Sequence, residues 1–170
     1  RKIWQNNTEE ERLLGVSLTG ILDNPKLGKA EDLKRLRDIA VDTNLGLAVQ
    51  LGIPQSTAIT CVKPSGTVSQ LVDSASGIHA RHSAHYIRTV RGDKKDPLSK
   101  FLIDQGIPYE DDLMQPDNTV VFSFPMKSPT KAVLREDLSA VTQLENWKNY
   151  QENWCEHKPS VTISVKEDEW

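Results

Sequence analysis

This sequence contains no apolar run approaching the roughly 18 residues that a membrane-spanning helix needs. Arg1-Lys2-Ile3-Trp4 is not followed by the apolar segment of a signal peptide. Cysteine is scarce: Cys61 and Cys155 lie far apart and form neither a C-x-x-C pair nor a zinc-ligand pattern. A reducing cytoplasm is therefore the expected setting. A basic excess is missing too. With 21 Lys and Arg against 24 Asp and Glu, the net charge is −3, which implies no direct nucleic-acid surface and no anionic-membrane partner.

What is there is a polar globular chain of 170 residues, enough for one ordinary domain. Its opening resembles the inside of a helix, and it stops directly after a strand-like run, so a piece of a longer protein is expected.

The most informative stretch is Thr60-Cys61-Val62-Lys63-Pro64-Ser65-Gly66-Thr67-Val68-Ser69-Gln70-Leu71. Residues 57–62 are β-branched and apolar, as in a buried strand. Pro64 removes a ladder donor and ends the strand. Ser65 suits a helix N-cap, and Gly66 permits close backbone approach by a ligand. The helix that follows would leave its first N–H groups unpaired, where anions bind readily. With Ser65, Thr67, Ser69 and Lys63 around one point, the pattern fits a phosphate cradle. It fits equally a capped strand-to-helix turn that binds nothing. It is not a P-loop, because the Gly-x-x-x-x-Gly-Lys spacing is absent.

Around this stretch the chain alternates. Thr8 reads as the N-cap of a helical turn, and residues 14–22 as a buried strand in which Gly15 and Gly20 allow close neighbours. Residues 29–52 carry helical periodicity through Leu33, Leu36, Ile39, Ala40, Thr43, Leu47 and Leu51, ended by Gly52-Ile53-Pro54. A short helix over 66–72 is followed by a small-residue loop, a strand over 86–91 and a helix over 98–105 behind Pro97. Residues 109–117 read as an acidic surface loop, 118–125 as a strand, 137–156 as a second long helix and 160–165 as a last strand. Strands alternating with helices predict an α/β fold.

His79, His82 and His85 recur at a spacing of three, which does not converge donors on one point in either helix or strand; no metal site is expected. Arg88 and Arg91 read as a solvated strand face. Asp111-Asp112 lacks the apolar wall that would raise a carboxyl pKa for acid–base work. Cys61 and Cys155 read as small structural residues.

Lys63-Pro64-Ser65-Gly66-Thr67-Val68-Ser69, followed by Ser76-Gly77-Ile78-His79, closely resembles the substrate-phosphate loop of ribonucleotide reductases, and most of all that of the adenosylcobalamin-dependent (class II) ribonucleoside-triphosphate reductases. Residues 12–20, 118–125 and 153–163 resemble the same family, in order, so the likeness covers nearly the whole chain. It implies part of the ten-stranded α/β barrel, as one partial catalytic domain over 1–170 with no separate second domain. It implies substrate-phosphate contacts from Pro64, Ser65, Gly66, Thr67, Val68 and Ser69, with Lys63, Ile78 and His79 lining the cavity. The implied reaction is ribonucleotide reduction by a thiyl-radical mechanism, with adenosylcobalamin as cofactor and a ribonucleoside triphosphate as substrate. Implied partners are a thioredoxin-type reductant and the remainder of the reductase chain. The family's radical cysteine precedes a glutamate closely, and no Cys-x-Glu occurs here, so no catalytic residue is expected in this chain and alone it should be inactive. A diiron-type reductase large-subunit fragment and a non-catalytic nucleotide- or phosphate-binding module are the alternative readings.

Overall fold

A computed structural model describes the backbone of residues 1–170 and every side chain except that of Leu27. Two compact units form, Arg1–Arg81 with Lys131–Trp170, and His82–Thr130.

In the first unit, helix α1 spans Lys2–Glu11. Thr8 is not its N-cap, as expected from sequence, but lies inside it and donates its hydroxyl to the Trp4 carbonyl. Helix α1 ends at Arg12, whose φ of 46° is left-handed. The strand expected over 14–22 shrinks to β1, Val16–Ser17. It stops because Gly20 turns the chain at φ 67° into a 3₁₀ turn over Ile21–Asp23. The N–H groups of Leu14, Val16 and Leu18 nevertheless donate to Ala58, Ile59 and Cys61, extending the pairing at both ends. Strand β1 runs parallel to β2, Thr60–Cys61, with Val16 opposite Thr60 and Ser17 opposite Cys61. The two differ in burial: Ala58 to Val62 are all buried, whereas Val16 is 44% exposed.

Helix α2 covers Ala30–Leu51 and ends, as expected, at Gly52 in the left-handed region. Its inward face is rotated from the one the apolar residues suggest. Leu33 and Ala48 are buried, and Asn44 bonds both the Ser56 backbone and its hydroxyl, while Leu36, Ile39, Leu47 and Leu51 face outward. The helix carries apolar residues on more than one face, so periodicity alone does not choose between them. Small Ala48 and the polar anchor Asn44 select the side that packs against β2 and α5, Ala140–Asn153.

Helix α5 begins later than expected. Ser139 caps it through the Thr142 N–H, and Arg135–Asp137 forms a separate 3₁₀ turn. It ends at Asn153, short of the expected Glu156. The expected last strand over 160–165 has no ladder; side chains tie it down instead. Gln143 bonds both N–H and carbonyl of Ser164, Trp147 donates to the Pro159 carbonyl, and the Thr162 N–H donates to His79. The core of this unit gathers Ile21, Leu33, Val62, Ile78, Tyr150, Trp154 and Cys155. Burying a side chain such as Leu33, 1% exposed, is worth about 2 kcal/mol.

The second unit is an antiparallel sheet ordered β3-β5-β4, built from β3, His85–Asp93, β4, Tyr109–Asp111, and β5, Thr119–Lys127. Strand β4 replaces part of the expected acidic loop. Tyr109, Glu110 and Asp111 pair with Phe122, Val121 and Val120, so backbone pairing overrides an acidic composition that disfavours strand. Helix α4, Pro97–Asp104, is capped by Asp96 through the Leu98 N–H.

One carboxylate joins the C-terminal end of α5 to β2. Glu156 Oε2 accepts the N–H groups of Ile59 and Thr60, each at 2.8 Å. Partial burial pushes this carboxyl up, but the donors from Thr60 and Ile59 outweigh it and hold it below the ordinary range. A depressed carboxyl stabilises the fold fully above its unfolded-state pKa, and loses that contribution as pH falls through the folded value. Urea titrations at a series of acidic pH values should therefore show stability falling with acidification, and a shallower fall in Glu156→Gln.

Candidate functional site

The loop after β2 rises out of the core. Val62 is buried; Lys63, Pro64, Gly66, Thr67 and Val68 are exposed; Ser65 is half-buried; and Ser69 is fully buried. The Lys63 N–H donates to Ser17 Oγ at 2.9 Å, pinning the strand end. Helix α3 is only Val68–Leu71, with Thr67 at its N-cap position and no side-chain cap bond. Ser65 is thus not the cap expected from sequence, because its hydroxyl is turned inward.

That inward turn builds a small polar junction. Ser65 Oγ sits 2.6 Å from Thr19 Oγ1, and the Gly77 N–H donates to both, at 2.8 and 3.0 Å. Thr19 Oγ1 also donates to the Ala75 carbonyl at 3.1 Å. One consistent proton assignment follows: Thr19 donates to Ala75, so Ser65 donates to Thr19. Ser69 likewise sends its hydroxyl to the Ser65 carbonyl. Of the three hydroxyls on this loop, only that of Thr67 stands on an exposed residue.

A second polar cluster lies beneath the following turn. Arg81, 6% exposed, reaches Asp23 Oδ2 at 2.8 Å and Oδ1 at 3.1 Å, Asp73 Oδ1 at 3.0 Å and the Asp73 carbonyl at 2.6 Å. Asp23 Oδ2 also accepts the Ala75 N–H at 2.7 Å. The hydrogen bond to Asp23 leads in holding the guanidinium's pKa above its ordinary value. Reading the sequence singled out none of Ser17, Thr19, Asp23, Asp73 or Arg81 for this site. Ser17, Thr19 and Asp23 meet their partners 46 to 58 residues away, and no local motif announces any of these contacts.

Among the residues implied to line a cavity, Ile78 packs in the core, 4% exposed. His79 is a strut: its Nε2 accepts the Thr162 N–H at 3.0 Å, so Nδ1 carries the proton that reaches the Ser76 carbonyl at 3.1 Å. His79 belongs to the first unit; in the second, His82 lies edge-on to Tyr86 and His85 pairs with Lys127 in the sheet. Among the described residues no cluster of three or more His, Cys, Asp or Glu could hold a metal ion. Cys61 and Cys155 are buried free thiols. Burial, with a smaller push from neighbouring Cys61, raises the Cys155 thiol to about 11, far from a reactive thiolate.

In the second unit Arg91 is not merely solvated. Its Nε lies 2.7 Å from Asp112 Oδ1, with side-chain exposures of 72% and 8%. The Arg91 hydrogen bond leads in holding Asp112 below the ordinary carboxylate range, helped by the N–H groups of Met114 and Gln115. Asp111 pairs with Lys94 at 2.5 Å. Asp112 is fixed as an anion, so it is not a proton donor near neutrality.

No model of a known family matches the chain. Curated relatives do. It is 29% identical over 168 residues to the adenosylcobalamin-dependent ribonucleoside-triphosphate reductase of Euglena gracilis, covering 95% of this chain and 23% of that protein. It is 31% identical over 203 residues to the protein of the same name from Lactobacillus acidophilus, covering 99% of this chain and 26% of the relative. Among solved structures, a B12-dependent (class II) ribonucleotide reductase superposes with a TM-score of 0.76 at 24% identity, covering 94% of this chain and 27% of that one. The chain therefore spans only about a quarter of the length of the curated relatives it matches.

The junction under the loop depends on Gly77. Its φ is +55°, and a Cβ there would come within 2.9 Å of the Lys63 carbonyl oxygen. Gly77→Ala should destabilise the protein by about 2 kcal/mol through this strain, measurable as a lower midpoint in chemical denaturation.

Proposed function

The chain belongs to the adenosylcobalamin-dependent ribonucleoside-triphosphate reductases, and from that premise we propose that it supplies the substrate-phosphate loop of such an enzyme, through Pro64, Ser65, Gly66, Thr67, Val68 and Ser69. The observation that carries this reading is the loop itself. An exposed backbone turn with a hydroxyl on Thr67 and an ammonium on Lys63 is held in place by the bond between the Thr19 and Ser65 hydroxyls and by the Lys63 N–H donating to Ser17. Backbone N–H groups, the Thr67 hydroxyl and the Lys63 charge are the donors a triphosphate requires.

The whole protein would reduce a ribonucleoside triphosphate, replacing its 2′-hydroxyl with hydrogen. Two thiols become a disulfide and the hydroxyl leaves as water, so the balance closes with a thioredoxin-type dithiol as the final reductant. Adenosylcobalamin would supply radical initiation. The cysteines of this segment and His79 do not fit the radical relay: both thiols are buried, the Cys155 thiol is raised to about 11, and both ring nitrogens of His79 are committed to backbone partners. No step is assigned to them. The segment's contribution is positioning: fixing the phosphates fixes the distance from the ribose to the reacting groups. Residues 1–170 would form part of one catalytic domain completed by the remainder of the chain, with Lys63, Ile78 and His79 supporting the loop and cavity wall. No helix among the described residues is long and apolar enough to cross a membrane, and we place the enzyme in the cytoplasm.

Gly66 gives a clean test. A Cβ at this position meets nothing within 4 Å and the residue is exposed, so a larger side chain crowds the outer face of the loop. In the full-length protein, Gly66→Val should raise KM for the ribonucleoside triphosphate about tenfold or more. Wild-type steady-state kinetics in that variant would remove the phosphate assignment.

A further inference from the structure

We propose that Arg81, clamped between Asp23 and Asp73, is a positioning residue that sets the conformation of the 64–69 loop for the substrate's phosphates. This inference rests on the phosphate-loop reading above and names residues that reading does not contain.

The loop cannot be placed by apolar packing. Val68, Leu71 and Val72 are 63%, 84% and 67% exposed, so helix α3 has almost no apolar anchor of its own. Polar struts must hold it, and they form one continuous path. Arg81 grips residue 73 through both its carboxylate and its carbonyl, and residue 73 has a left-handed φ of 45°, a conformation that needs outside support in a non-glycine residue. The same guanidinium orients the Asp23 carboxylate, which takes the Ala75 N–H. The Ala75 carbonyl accepts the Gly20 N–H and the Thr19 hydroxyl. Thr19 then meets Ser65 and Gly77. At the far stem, the Ser74 N–H donates to the Ser69 carbonyl at 2.9 Å, and Ser69 itself bonds back to Ser65. Both ends of the loop therefore trace to the turn that Arg81 holds.

The planar fork is essential to this. Four hydrogen bonds to two carboxylates and a carbonyl leave a single direction for the guanidinium, and a lysine ammonium in its place keeps the charge but cannot span the same acceptors.

The test uses the full-length protein and compares KM and kcat, per folded enzyme, for a ribonucleoside triphosphate and the corresponding diphosphate. Arg81→Lys should raise KM for the triphosphate about tenfold and narrow the preference for triphosphate over diphosphate. A purely structural role would lower thermal stability and leave both KM values unchanged. If Gly66→Val raises KM while a folded Arg81→Lys behaves as wild type, the positioning role of Arg81 is overturned and the loop assignment survives. If neither variant alters KM, the loop assignment itself fails and takes this proposal with it. Should Arg81→Lys not fold, Asp73→Asn decides, because the Asp73 side chain is 73% exposed and tolerates replacement. A rise in triphosphate KM there supports the proposal, and an unchanged KM overturns it.

Discussion

The structure of the first unit depends on the grip that residues 154–156 take on strand β2. Thr60 has no exposed surface, and its hydroxyl lies 2.5 Å from the Trp154 carbonyl, to which it donates. The Trp154 indole returns a bond to the Cys61 carbonyl at 2.7 Å, and the Glu156 N–H donates to the Thr60 carbonyl. Together with the Glu156 carboxylate, these bonds supply partners on the edge of the two-residue strand that β1 leaves open. Buried N–H and carbonyl groups must find partners. Here the chain finds them nearly a hundred residues away, and that single closure brings α5, the core and the loop-bearing strand together.

From this closure outward, polar contacts replace apolar ones. The core carries Tyr150, Trp154, Ile78 and Val62. One turn further along the chain, Ser17, Thr19, Ser65, Gly77, Asp23 and Arg81 do the positioning with hydroxyls and charges. Such a gradient suits a loop that must be rigid while presenting its backbone to solvent. Hydrogen bonds are directional, so they specify a loop's shape where too little surface is buried to do so.

The second unit follows a different logic. Its nine-residue strands β3 and β5 pair along their whole length, from His85 against Lys127 to Asp93 against Thr119. Phe122 packs between Tyr109 and Phe124 on the sheet. Charges there bind the sheet to its own loops: Asp112, tucked among the Met114 and Gln115 N–H groups, meets Arg91, and Lys94 meets Asp111. These pairs anchor a turn and hold Asp111 and Asp112 as charged partners, not as carboxyls poised for acid–base chemistry.

Much was legible in the sequence. The long helix ending at Gly52, the strand running into Pro64, the helix start at Asp96-Pro97 and the α/β character follow from local chemistry: periodicity, a positive-φ glycine, a missing N–H. The turn over residues 63–69 was legible as a motif because its residues are contiguous. What the sequence did not reveal lies where distant groups compete. Residues 160–165 have strand composition but no ladder; Gln143 takes both backbone groups of Ser164 and His79 takes the Thr162 N–H. Residues 109–111 have loop composition yet pair with β5. The face of α2 that turns inward was ambiguous until Asn44 and Ala48 met their neighbours. Ser65 looked like a cap until Thr19, 46 residues earlier, claimed its hydroxyl. The sequence by itself determined the local elements and the exposed loop that follows β2. Only the tertiary structure decided which side chains hold that loop, because hydrogen-bond partners are set by proximity in space, and closing the chain creates that proximity.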